Sequence, residues 1–165
     1  MKNKSINMFI AAMVLLCLIA IMLIVFLHRA HENFDDAVTV KANGVTESVF
    51  KVRDLTLTPT DVKEYDVNLY CEATGDYKIS LDYREIHDGG MKEYVKVQII
   101  FDEEVIYEGW LSDIIDKDII VDFVGELHET DPLTLTFRYE MPRNIGNEAQ
   151  GTSADFDIVL TAKKY

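Results

Sequence analysis

The sequence predicts an all-β fold: an antiparallel two-sheet sandwich, jelly-roll or Ig-like, preceded by one N-terminal transmembrane helix. Three observations predict it. Residues 8–27 form an unbroken apolar run. Most of the chain after residue 36 alternates apolar and polar residues with period two. Turn residues interrupt that alternation roughly every 8–12 positions, the spacing of short strands in a sandwich.

The apolar run reads MFIAAMVLLCLIAIMLIVFL, with no charge, proline or glycine. At about 1.5 Å per helical residue it matches the roughly 30 Å hydrocarbon core of a bilayer. Lys2 and Lys4 precede it; His28 and Arg29 follow, then Glu32, Asp35 and Asp36. The basic excess before the run favours a cytoplasmic N-terminus. A cleavable signal has an apolar core of about 7–15 residues and small residues at the cut. Here the core is longer, and His28 occupies a small-residue position of the candidate site ending at Ala30. Leu16 disfavours lipoprotein processing at Cys17. The run therefore reads as an uncleaved signal-anchor. The expected division is a cytoplasmic tail over 1–7, the anchor over 8–27, a stalk over 28–36 and an extracellular domain over 37–165. The expected location is the plasma membrane, single-pass.

Within that domain, the alternation predicts strands near 37–42, 47–57, 63–71, 76–84, 93–101, 104–110, 118–124 or a neighbouring span, 132–141 and 153–163. Asn43-Gly44, Thr58-Pro59-Thr60-Asp61, Thr74-Gly75-Asp76 and His87-Asp88-Gly89-Gly90 are the turn signals between them. Asp102-Glu103-Glu104 reads as a tight hairpin connection. Ser112 is a fair N-cap for a helical turn over 112–115. Leu69, Leu81, Val97, Ile99, Leu135, Phe137, Phe156 and Ile158 are the expected core.

From His28 onward the chain carries 14 basic and 29 acidic residues, a net charge of −15. Such a surface repels nucleic acid and anionic headgroups, so neither is an expected partner. Cys17 and Cys71 fall in different phases, which leaves no intramolecular disulfide. Cys71 continues the alternation Tyr65, Val67, Leu69 and reads as a buried thiol.

The C-terminal segment reads YEMPRNIGNEAQGTSADFDIVLTAKK from Tyr139. Pro142 ends a strand because it lacks an N–H. Gly146 and Gly151 suit positive φ at two bends, and Asn147 and Gln150 suit turn hydrogen bonds. This segment resembles the C-terminal end of exported Gram-positive proteins of the TasA/camelysin type. The matching residues are Met141-Pro142, Gly146-Asn147-Glu148-Ala149-Gln150-Gly151 and Phe156-Asp157-Ile158. Upstream, Leu55-Thr56-Leu57-Thr58-Pro59-Thr60-Asp61 resembles the family's L-x-P-G-D turn, with Thr60 where glycine is usual. The resemblance implies a jelly-roll or Ig-like sandwich on a Gram-positive cell surface. Its members include biofilm-matrix fibre subunits and a metalloprotease. An uncleaved anchor departs from a secreted subunit.

Catalytic motifs are sparse. His31-Glu32 and His128-Glu129 begin a zinc-protease pattern, but no histidine follows at the required spacing. His28 and His87 are isolated. No P-loop, dinucleotide-binding pattern or nucleophile elbow occurs. Asp113, Asp116 and Asp118 are the weak calcium candidates, three carboxylates within six residues without EF-hand spacing. Trp110 reads as a core-edge residue at a strand end. No catalytic residue and no cofactor is expected. The expectation is a membrane-tethered structural or interaction module whose partners are other surface or matrix proteins. A secreted fibre subunit and a metal-dependent surface hydrolase are the alternatives.

Overall fold

The computed structural model describes residues 37–165, so the anchor, Cys17, His28, His31 and the stalk lie outside the described residues. The elements run β1 (Ala37–Val40), β2 (Val45–Leu55), β3 (Val62–Cys71), β4 (Gly75–Gly89), β5 (Lys96–Phe101), β6 (Glu104–Trp110), α1 (Leu111–Asp116), β7 (Val121–Leu127), β8 (Leu133–Glu140) and β9 (Ser153–Lys164). Single 3-10 turns occur at Met91–Tyr94 and Asn147–Ala149. The strands form two sheets, in the orders β1-β3-β8-β5-β6 and β2-β9-β4-β7.

Period-two alternation gives each strand one apolar face, and the two apolar faces meet. Phe50 of one sheet packs on Phe137 of the other at 6.0 Å between ring centroids. Phe156 lies 5.5 Å from Tyr139 and 5.6 Å from Tyr83. All eight residues expected in the core are fully buried, and Cys71 joins them as a free thiol. Two tyrosine hydroxyls meet inside this core, Tyr83 Oη to Tyr139 Oη at 3.2 Å. Burial pushes both phenols above their ordinary pKa. At the sandwich edge, Gly125 is required by a close approach: a Cβ there would sit 2.5 Å from Cε1 of Phe101.

Several expectations need correction. The sheets are not wholly antiparallel, because β1 pairs parallel with β3. Asn43-Gly44 bends the chain as expected, and carries it from one sheet to the other between β1 and β2. Strand β4 runs on to Gly89 through the expected His87 loop, because it stays paired with Ser153–Ala154 of β9 beyond a bulge at Glu85/His87. The strand expected from 93 begins at Lys96, since Met91–Tyr94 coil into a 3-10 turn. Strand β7, at Val121–Leu127, takes the neighbouring span rather than 118–124 itself. The helix cap is Trp110, in extended conformation and without a side-chain bond, rather than Ser112. The hairpin at Asp102-Glu103 is present, with both residues at positive φ (48° and 66°), as a type I′ turn requires.

Candidate functional site

The β2–β9 ladder builds the site by coming to an end. It runs from Val45 opposite Lys163 to Leu55 opposite Ala154, with a bulge between Val52 and Leu55. The bulge is pinned from the β9 side. Arg53 Nη1 donates to the Phe156 carbonyl at 2.9 Å, and its Nη2 pairs with Asp157. Asp54, at φ 49°, donates its N–H to Asp155 at 2.8 Å. Past Leu55 the two chains part and leave a cleft of about 510 Å³ between residues 56–61 and 145–152. That volume falls in the range of small-ligand sites, about 300–1,000 Å³.

One wall is the Thr58–Asp61 turn. Asp61 N donates to Thr58 O at 2.8 Å. Pro59 takes the position that fixes φ, and Thr60 stands at φ 81°, the type II position that favours glycine. The Asp61 carboxylate accepts from Thr58 N at 2.8 Å and from Thr58 Oγ1 at 2.7 Å. The Thr58 hydroxyl, then its amide, hold the Asp61 carboxyl below its ordinary pKa. The end of β8 holds the turn in place, with Thr60 N to Met141 O at 2.9 Å and Met141 N to Asp61 O at 3.1 Å.

The other wall is the loop after Pro142. Ile145 N donates to Pro142 O at 3.1 Å, and Gln150 N to Asn147 O at 3.1 Å. Thr152 Oγ1 donates to Ala149 O at 2.7 Å. Gly151 adopts φ 74° as expected, but Gly146, at φ −88°, does not. Main-chain bonds close the loop, and the side-chain amides of Asn147 and Gln150 take no part. Leu57 and Ala149 are buried beneath the cleft, and Ile145 is half-buried. The two walls, residues 56–61 and 145–152, lie far apart in sequence.

The other candidates fall elsewhere. Asp113 pairs with Lys117 at 2.7 Å, and Asp116 pairs with Lys92 at 2.8 Å. Asp118 sits at φ 48° after α1. Among the described residues, no group of three His, Cys, Asp or Glu is placed to hold a metal ion. His87 lies on β4 opposite Asp155, whereas His128 follows Leu127, which pairs with Gly75 at the opposite end of β4. Glu129 caps the Thr74 amide at 3.2 Å. Trp110 is partly buried, with Lys96 Nζ 5.6 Å above its ring.

Sequence reading missed one constellation. Lys92 Nζ lies 2.6 Å from Glu85, 2.8 Å from Asp116 and 3.4 Å from Asp88. Asp116, then Glu85, raise its ammonium pKa well above the ordinary lysine value. This knot ties β4, the 3-10 turn and α1 together. Only the Asp88–Lys92 spacing was visible in sequence.

The sequence matches no family model and no curated protein. Among solved structures it is similar to part of a β-glucosidase from Paenibacillus barengoltzii, at 8% identity and a TM-score of 0.32. The match covers 76% of this chain and 11% of that one. A likeness this slight bears on neither fold family nor activity. Among the described residues, no helix is long and apolar enough to cross a membrane.

Proposed function

We propose that this chain is a membrane-tethered module of the Gram-positive cell surface, with an interaction role in the envelope or extracellular matrix. The charge-free run over 8–27 supplies the tether. The cleft between residues 56–61 and 145–152 supplies the binding site. The observation that carries this reading is the convergence of the two family-like segments on one cleft. Binding sites commonly sit on loops held by a rigid scaffold, and here both walls are fixed by hydrogen bonds to β8 or within their own turns. The strand orders β2-β9-β4-β7 and β3-β8-β5-β6 support jelly-roll connectivity over an Ig-like one, with β1 as an added edge strand. A net acidic surface suits a module displayed without adhering to anionic neighbours.

External protease applied to intact cells tests the location. Loss of domain epitopes while the cytoplasm stays intact is the expected result. Full protection of the domain until the cells are lysed would refute surface display.

A further inference from the structure

Among the described residues four strands end a sheet: β1 and β6 in one, β2 and β7 in the other. A sheet edge presents unpaired N–H and C=O groups that recruit another strand unless something opposes it. We infer that β2 is the contact through which two copies of this chain pair, antiparallel and about a two-fold axis at Val49.

Charge along the edges separates β2 from the others. Strand β1 is four residues long and carries no charge. Strand β6 carries Glu104 and Glu108, and β7 carries Asp122 and Glu126; neither has a basic residue. In a two-fold antiparallel pair, residues equally far from the axis face each other across it. Pairing β6 about Ile106 sets Glu104 against Glu108 of the second copy. Pairing β7 about Val124 sets Asp122 against Glu126. Like charges directly opposed destabilise a sheet, so these two edges repel their own kind.

In β2 the sign reverses. The strand is eleven residues long, contains no proline or glycine, and pairs with β9 without a break from Val45 to Val52. Its outward face presents Val45, Glu47, Val49 and Lys51, all exposed. About an axis at Val49, each Glu47 stands opposite the Lys51 of the second copy, and the two Val49 side chains meet. Arg53 is already engaged by Asp157, whereas Glu47 and Lys51 have no ion pair among the described residues. Val45 and Val49 are 54% and 42% exposed, so the contact also covers apolar surface. The chain's net charge of −13 opposes the approach of two copies. The two matched pairs offset that repulsion at β2 and at no other edge. A two-fold contact uses the same edge on both copies, so assembly closes at a dimer.

The test uses the full-length protein, detergent-solubilised, in a Cys17→Ser background; Cys71 is buried and stays. Single cysteines are placed along β2 and oxidised with copper–phenanthroline. Directly opposed residues of an antiparallel pair have Cβ atoms about 4.5–5.5 Å apart, near the reach of a disulfide, whereas residues four positions off register are about 13 Å apart. Val49→Cys should give disulfide-linked dimers. Glu47→Cys and Lys51→Cys should give few dimers singly and many when the two variants are mixed. Charge reversal reads the same contact without a cross-link. In sedimentation, Glu47→Lys and Lys51→Glu should each weaken dimerisation at least about tenfold, and the double reversal should restore it. All three sites are exposed, so the variants should keep the wild-type unfolding midpoint. Cross-linking as efficient at 47 or 51 alone as at 49 would overturn the assigned register and with it the inference. Association indifferent to both single reversals would place the contact outside β2 and overturn it equally, as would a chain that stays monomeric in both assays.

Discussion

Replacing Thr60 with glycine should stabilise the domain. Thr60 holds φ 81°, a conformation that costs an L-residue about 1–2 kcal/mol and suits a β-branched one least. Its side chain is exposed and makes no hydrogen bond, so its removal forfeits little packing. Its N–H bond to Met141 O at 2.9 Å belongs to the main chain and survives the change. Against the relief stands the extra backbone freedom of glycine in the unfolded chain, about 0.5–1 kcal/mol. The net expectation is a gain of about 0.5–1 kcal/mol, or roughly 2–4 °C in midpoint for a domain of this size. Trp110 is the only tryptophan, so its fluorescence follows domain unfolding in denaturant without interference. Thr60→Ala keeps the Cβ and should not reproduce the gain. An unchanged or lowered midpoint for Thr60→Gly, or an equal gain for Thr60→Ala, would refute the strain argument.

Further predictions concern the core, the lysine knot and the turn. Phe137→Ala should cost about 3–5 kcal/mol, since Phe137 is fully buried at the centre of its sheet; an unchanged denaturant midpoint would contradict its placement. Tyr139→Phe should cost about 1–2 kcal/mol by leaving the Tyr83 hydroxyl buried without its partner, and the double change to phenylalanine should cost less than the sum of the singles in a double-mutant cycle. Lys92→Met should destabilise by about 1–2 kcal/mol at neutral pH, because three partly exposed carboxylates lose their shared cation. The folded Lys92 pKa is raised, so its contribution is complete below the unfolded value of about 10.4 and declines as pH rises beyond it; pH-dependent unfolding of wild type and variant should converge above that point and not below it. Asp61 has the opposite sign. Its lowered pKa gives a contribution present above about pH 3.9 and lost as pH falls further, and Asp61→Asn should flatten that acid limb.

Strand content was legible because alternation is a local property. Val97, Ile99 and Phe101 declare one face of β5, and Leu133 to Tyr139 declare one face of β8, without reference to any partner. What stayed hidden depended on pairing. The extension of β4 through His87 to Gly89 exists because β9 reaches far enough to pair with it, and nothing within HDGG signals that. The parallel placement of β1 depends on which sheet receives the chain after Asn43-Gly44. Asn-Gly chemistry fixes a bend there but not its destination.

The site divides in the same way. Thr60 standing where the resembled L-x-P-G-D turn has glycine was visible in sequence, and its positive φ gives that departure a physical meaning. The meeting of residues 56–61 with 145–152 was not visible, since it follows from β2 and β9 being neighbours across more than a hundred residues. The acidic run at 113–118 misled by proximity in sequence. Residues three apart on the single turn of α1 face different lysines, so closeness along the chain did not become a shared site.

Surface tethering is tested most directly by the intact mass of the protein isolated from the membrane fraction of the cells that make it. A mass that includes residues before Ala30 is the result that uncleaved anchoring requires. A mature N-terminus between His28 and Asp36, recovered from the medium, would contradict it and make a secreted matrix subunit the leading reading.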